Sequence, residues 1–457
     1  MSPETDSLAA FDRLESEVRG YVRAFPAVFD RAEGSRLYDE DGRSYLDFFA
    51  GAGVLNYGHN PPALKERLLA YLERDGVTHT LDMASSAKRR FMERFHEVVL
   101  EPRGLDYKLQ FPGPTGTNAV EAALKLARKV TGRTNVVAFT DGFHGMTLGS
   151  LAATGNAAKR AGAGVPLGNV TRMPFDGFLG DGVDSLAVLR AYLEDGSSGM
   201  DLPAAAILET VQAEGGVKVA GFDWLRRLSE LLAEHGVLLI VDDVQVGCGR
   251  TGPFFSFEPA GIEPDVVCLS KSLSGYGLPF AMVLLKPEHD VWEPGEHNGT
   301  FRGHNPAFVT AEAALSFWED DGLSREVEAK AAHATDWLRS IAERHPEAGI
   351  EVRGRGLIQG LAFADAEVAP RASAECFRRG LVIETSGPRS EVLKLLPPLT
   401  IGEEDLDEGL TILEASVAAA LGLTREHGRS GPEAASRSGS AEGPNRKREE
   451  ILAGGAA

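Results

Sequence analysis

The sequence predicts an α/β protein with a mainly parallel sheet buried on both faces, and a smaller α/β domain beside it. Two patterns predict this. From about residue 135, short aliphatic and β-branched runs alternate with amphipathic stretches: NVVAFT, AAAILET, VLLIVDD, DVVCLS and AMVLLK. Strands that read as continuous apolar runs are buried on both faces, and helices between them supply the crossovers of a parallel sheet. After about residue 310 comes a long helical region, 307–346, then shorter strand candidates, IEVRG, LIQGLAF, GLVIET and VLKLL, and a closing helix near Glu403. A chain of 457 residues is long enough for two cores.

Upstream, Leu8, Phe11, Leu14, Val18 and Tyr21 fall at helical spacing and predict an N-terminal helix within 7–24. SRLYDEDGRSYLDFFAG reads as two short strands about a turn at Asp41-Gly42. Residues 61–130 carry helical patterns broken by Gly and Pro. Residues 424–457 have almost no large apolar side chains, cannot bury enough surface to offset their ordering entropy, and are expected to be disordered.

Composition excludes several classes. A net charge of -20 repels phosphate backbones, which argues against a nucleic-acid partner. Three cysteines, Cys248, Cys268 and Cys376, form no CxxC pair, so neither a disulfide framework nor a metal cluster is expected. The acidic N-terminus lacks the apolar segment of a signal peptide, and no run of about 18 apolar residues suggests a membrane span. The expected location is cytoplasmic.

Five segments carry candidate chemistry. LLIVDDVQVG ends an apolar strand in Asp242 and Asp243; strand neighbours point to opposite faces, so only one acid can face a given pocket. In DVVCLSKSLSGYGLP another apolar strand runs into Ser270-Lys271. A desolvated amine there has a lowered pKa and more of the neutral form that attacks an aldehyde. Thr115, Gly116 and Thr117 precede a helix with apolar positions Val120, Ala123, Leu124, Ala127 and Val130; small residues at a helix start offer backbone N–H groups to a phosphate. Phe143 and His144 follow the strand NVVAFT, where an aromatic face can stack on a flat ring. Thr300, in NGTFRGHNP, is a further phosphate donor. Alone, each has a plainer reading: solvated strand-end acids, a surface lysine, a helix cap, a packed Phe. Together they describe pyridoxal 5'-phosphate, with its phosphate, ring face, ring nitrogen and aldehyde.

Six motifs in this order, TGTNAVEAALKLAR, GFHGMTLG, ETVQAEGG, VDDVQVGCGRTG, SKSLSGYGLP and GTFRGHNP, resemble the class III aminotransferases of pyridoxal-phosphate fold type I, over about residues 25–420. The resemblance implies a seven-stranded sheet in a large domain at 65–310. It places the smaller domain at 1–64 and 311–423, with 424–457 as a tail. It implies that Lys271 bonds the cofactor aldehyde and moves protons, that Asp242 keeps the ring nitrogen protonated, and that Gln245 contacts the ring hydroxyl. Thr115, Gly116 and Thr117 would bind phosphate, Phe143 would stack on the ring and His144 would flank it. Thr300 would reach the phosphate from a neighbouring subunit, making a homodimer the minimum active unit, with a higher homo-oligomer open.

Longer stretches, among them KLQFPGPTGTNAVEAALKLARKVTGR and GLVIETSGPRSEVLKLLPPLTI, resemble one branch of that family. That likeness implies transfer of the 4-amino group between L-2,4-diaminobutyrate and 2-oxoglutarate, giving L-aspartate 4-semialdehyde and L-glutamate. This is the first step of ectoine biosynthesis, a response to osmotic stress. The alternatives are an ornithine- or 4-aminobutyrate-type enzyme, or a non-catalytic shell of the same fold. The chain departs from the family at Asn118, Thr210, Ala213 and Asp243. Glu214 resembles a gating carboxylate that pairs with arginine, yet Lys394 stands where many relatives carry arginine before the PPL segment. A lysine is a point charge without the bidentate fork. As substrate-carboxylate anchor, Lys394 competes with Arg250, Arg302, Arg353 and Arg389.

Overall fold

The protein is described here from a computed structural model covering residues 8–180 and 182–423; the expected tail at 424–457 lies outside the described residues. The large sheet has seven strands in the spatial order Lys108–Gln110, Met282–Leu285, Val266–Leu269, Leu238–Asp242, Ala205–Leu208, Val136–Phe139, Val170–Met173. Neighbours from Val266–Leu269 to Val170–Met173 pair in parallel, and Met282–Leu285 runs antiparallel to both of its neighbours. The five strands that read as apolar runs are buried at every residue. The two that the sequence pattern misses, Lys108–Gln110 and Val170–Met173, form the sheet edges. They are partly exposed there and carry polar residues, so they show no apolar run.

The helix Gly116–Thr131 lies on one face. Its Ala119, Val120, Ala123, Leu124 and Ala127 pack with Val136, Ala138, Ile207, Ile240 and Cys268 of the strands. The other face is covered by an aromatic-rich core. Phe91 is fully buried and its ring lies 5.4–6.2 Å from those of Phe95, Phe111, Phe280 and Phe308. Phe111 leads into the loop before Thr115, and Phe280 follows the loop of Lys271, so this cluster clamps two segments of the site from behind.

Two four-stranded sheets and a two-stranded ribbon, Val211–Gln212 with Lys218–Val219, complete the fold among the described residues. Arg36–Asp39 and Ser44–Asp47 are the two strands expected about Asp41-Gly42; Phe29–Glu33, not expected, pairs with the first of them, and Leu381–Val382 adds to the second in parallel. Glu351–Arg355, Ile358–Ala362, Val392–Leu395 and Glu384–Ser386 form an antiparallel sheet in that order. One core gathers Leu46 and Phe48 with Leu338, Leu361, Leu381, Leu393, Leu410 and Leu413. Chain segments from both ends therefore share one apolar interior.

Two expectations need correction. The N-terminal helix is two short pieces, Ala9–Leu14 and Tyr21–Ala24, with no buried residue in either. Val18, between them, is 90% exposed. A helix this short draws its stability from packing an apolar stripe, and here Leu14 and Val18 face solvent while Tyr21 lies against Phe49, its ring 4.9 Å from that of Phe49. The long helical region also breaks, into Asn305–Ala314, a 3₁₀ turn and Gly322–Arg344.

Phe91→Ala is expected to cost about 3–5 kcal/mol by leaving a cavity in the aromatic core. Chemical denaturation checks this, and a loss under about 1 kcal/mol would contradict the clamp.

Candidate active site

Asp242 is the last residue of Leu238–Asp242 and pairs in parallel register with Cys268. Lys271 lies three residues beyond Cys268, so both groups emerge at the same edge of adjacent strands. Lys271 takes a left-handed backbone (φ 50°), unusual for a residue with a Cβ and held only where the surroundings over-determine it. Its amine has no ion-pair partner among the described residues. Burial lowers its pKa; the charge of Glu214 opposes this, and that of Lys394 reinforces it.

The two adjacent acids divide as strand alternation requires. Asp242 Oδ2 lies 2.8 Å from His144 Nδ1, and both side chains are buried. Asp243 turns the other way. Its carboxylate accepts from Ser256 Oγ and, at 3.0 Å, from the Ser256 N–H. Burial pushes its pKa up to about 7 against those hydrogen bonds, so it braces the loop behind the strand.

A pocket of about 170 Å³ opens between these elements. Gly116 and Thr117 line one side, at the start of a helix with no side-chain cap; Phe143, His144 and Gly145 line another; Asp242, Val244, Gln245, Val246, Glu209, Glu214 and Lys271 complete it. A Cβ on Gly116 would lie 2.8 Å from Val244 Cγ1, so the backbone must stay bare there. Two buried polar atoms beside the pocket, His144 Nε2 and Gln245 Oε1, have no hydrogen-bond partner among the described residues. Glu209, which the sequence reading passed over, accepts the Phe143 N–H at 2.8 Å, and burial with the neighbouring Asp242 charge pushes its pKa well up. Its signal was its place directly after the strand Ala205–Leu208.

Thr115 and Thr300 do not line this pocket; both are exposed in the single chain. Asn118 donates to Thr115 Oγ1 at 2.9 Å, which holds the turn before the helix.

A wider cleft of about 1090 Å³ adjoins the pocket, sharing Phe143 and Glu214 with it. Lys394 lies behind its wall, under Glu214 and Glu384. Lys394 is fully buried; its Nζ donates to Glu214 Oε1 at 2.6 Å and lies 2.9 Å from Glu384 Oε1. The two carboxylates raise the lysine pKa against burial. Burial pushes the Glu214 pKa up, but the charges of Lys394 and Lys271 and the hydrogen bonds from Lys394 and Gln245 together outweigh it and carry it below the ordinary carboxylate range; Glu384 moves the other way because burial dominates. Gln245 Nε2 adds a hydrogen bond to Glu214 Oε1 at 3.3 Å. Tyr21 and Glu384, both absent from the sequence-stated candidates, line the cleft, and Tyr21 OH donates to Glu384 Oε2 at 3.3 Å.

Three of the four competing arginines are engaged elsewhere. Arg250 is buried and spends its N–H groups on Asn56 and the carbonyls of Leu357 and Pro397. Arg302 pairs with Asp82, and Arg353 with Glu351 and the Gly216 carbonyl. Arg389 is exposed, and none of the four lines the pocket or the cleft. Among the described residues no group of three or more His, Cys, Asp or Glu is placed to hold a metal ion, and no helix is long and apolar enough to cross a membrane.

Lys394→Met leaves two buried carboxylates facing each other without their cation, and is expected to destabilise by about 3–5 kcal/mol near neutral pH. The lowered Glu214 contributes stability above its unfolded value and loses it as pH falls; the raised Lys394 contributes below its unfolded value and loses it as pH rises. The penalty is therefore full between about pH 5 and pH 10 and shrinks as acid neutralises the carboxylates. Denaturation midpoints across that range check it; a penalty that does not change with pH would contradict it.

The family model described as "Aminotransferase class-III" matches residues 19–417. A diaminobutyrate–2-oxoglutarate transaminase of Bordetella parapertussis is 61% identical over 91% of this chain and 96% of its own length. One from Halalkalibacterium halodurans is 56% identical over 91% and 97%. Among solved structures, the ornithine aminotransferase of Toxoplasma gondii superposes with a TM-score of 0.79 at 27% identity, covering 91% of this chain and 95% of that one. This chain belongs to the class III aminotransferase family.

Proposed function

We propose that this chain is a pyridoxal-phosphate aminotransferase moving the 4-amino group of L-2,4-diaminobutyrate to 2-oxoglutarate, with L-aspartate 4-semialdehyde and L-glutamate as products. The observation that carries the reading is the pairing of Lys271 and Asp242 at adjacent strand ends, inside one buried pocket. The name carried by the relatives described above supplies the substrate pair. On that reading the reaction opens ectoine biosynthesis.

The residues present fit the cofactor. An uncapped helix start with a bare glycine suits a phosphate, Asp242 suits a protonated ring nitrogen, and the unpartnered Gln245 Oε1 and His144 Nε2 are buried polar atoms awaiting a ligand. Gly116 and Thr117 would hold the phosphate, Phe143 the ring face, Gln245 the ring hydroxyl and Lys271 the aldehyde carbon. Thr115 would support the phosphate turn. Thr300, exposed in this chain, would reach the phosphate of a neighbouring subunit, in a homodimer at minimum. When bound, the cofactor accepts the electron pair released at the amine-bearing carbon.

The rest is the work of this chain's own groups. Lys271, made less basic by burial, takes the proton from C4 of the diamino acid and later returns a proton to C2 on the glutamate half of the cycle. His144 holds the Asp242 carboxylate in place, and that carboxylate would pair with a protonated ring nitrogen. Glu214 stands between pocket and cleft, held by the buried Lys394, and sets which substrate carboxylate is admitted. We place the enzyme in the cytoplasm. We divide it into a large domain at 65–310 and a smaller one formed by 1–64 and 311–423.

Incubation with L-2,4-diaminobutyrate and 2-oxoglutarate is expected to yield glutamate and the semialdehyde, with lower kcat/KM for ornithine and 4-aminobutyrate. Lys271→Ala is expected to lower turnover by about 10²–10⁴-fold. Full turnover by Lys271→Ala, or preference for either other amine, would contradict the reading.

A further inference from the structure

The strand Glu384–Ser386 pairs antiparallel with Val392–Leu395, and Glu384 stands directly opposite Lys394. Cross-strand partners project on the same face, so the two side chains stand side by side. One lysine serves two carboxylates there, Glu214 and Glu384, and its hydrogen bond goes to Glu214. Glu384 Oε1, although 2.9 Å from Lys394 Nζ, is buried without an aligned hydrogen bond among the described residues. Glu384 Oε2 accepts from Tyr21 OH at 3.3 Å. The residue is 6% exposed and lines the cleft beside Glu214 and Tyr21.

Counting charges, two carboxylates and one ammonium leave one negative charge in excess. A buried carboxylate that shares its one ammonium with a second carboxylate is costly until another cation meets it. Glu384 and Lys271 are near enough to feel each other's charge. A substrate whose distal amine reacts at Lys271 extends its α-carbon end toward the cleft. If that end is an α-amino acid, it carries an ammonium group, and 4-aminobutyrate carries none.

We propose that Glu384 is a specificity-determining residue that accepts the α-ammonium of the diamino acid while the distal amine occupies the pocket of Lys271. The inference rests on the proposed function and adds to it the group that tells a diamino acid from an amino acid of the same length with one amine. Lys394 stays paired to Glu214 and holds Glu384 in place. Tyr21, from the N-terminal arm, covers the other carboxylate oxygen.

The test is the selectivity ratio, kcat/KM for L-2,4-diaminobutyrate over kcat/KM for 4-aminobutyrate, measured with the full-length holoenzyme. In Glu384→Gln this ratio is expected to fall about 10- to 100-fold, chiefly through KM for the diamino acid, because a charge-assisted hydrogen bond is lost. Glu384→Asp keeps the charge but withdraws it, and its ratio should fall in between. It carries the test alone if the Gln variant does not fold. A second readout is the rise in the holoenzyme's melting temperature on adding diaminobutyrate, which should shrink in both variants. A ratio unchanged within about threefold, with both amines losing equally, would overturn the proposal and leave Glu384 as a prop for Lys394. A wild-type enzyme with no preference for diaminobutyrate would overturn the proposed substrate itself, before any variant is made.

Discussion

Everything at the site depends on the parallel register that sets Asp242 beside Cys268. A slip of one residue would turn Asp242 to the opposite face and put Asp243 in the pocket. The register holds because both strands are buried at every position between two layers of apolar side chains. With it in place, a lysine three residues past Cys268 has to emerge next to the Asp242 carboxylate. The left-handed turn at Lys271 then aims the side chain, and the aromatic cluster around Phe91 keeps the neighbouring loops from relaxing away.

Charge is the second constraint, and it is handled in layers. Asp242 is matched by His144, Asp243 by Ser256, and Glu214 by Lys394. Lys271 stands apart without an ion-pair partner among the described residues, in a pocket that disfavours its charged form. An amine that reacts with a carbonyl carbon needs that condition, since a salt bridge would hold it protonated. The acids around it are held by other groups, so they shape its field without capturing it.

Much of this was legible in the sequence, and the reasons are specific. Asp242, Lys271 and the Gly116–Thr117 turn all sit at the ends of strongly patterned elements, where continuous apolar runs or a helical stripe mark the boundary. Edge strands such as Val170–Met173 lack that pattern because half their surface meets water. The partner of Lys394 was not legible, because Glu384 sits ten residues away across a hairpin whose register the sequence does not display. Lys394 itself read as an imperfect arginine. Its burial between two carboxylates explains the choice, since a compact ammonium fits where a planar fork would need room for more acceptors. Tyr21 was read only as one position of a helical stripe; that stripe breaks, and the residue instead covers Glu384.

The most direct test is to reduce the holoenzyme with borohydride, digest it and locate the pyridoxyl group by mass spectrometry. The expected result is a single modified peptide with the group on Lys271. Modification of another lysine, with Lys271 untouched, would contradict the central claim.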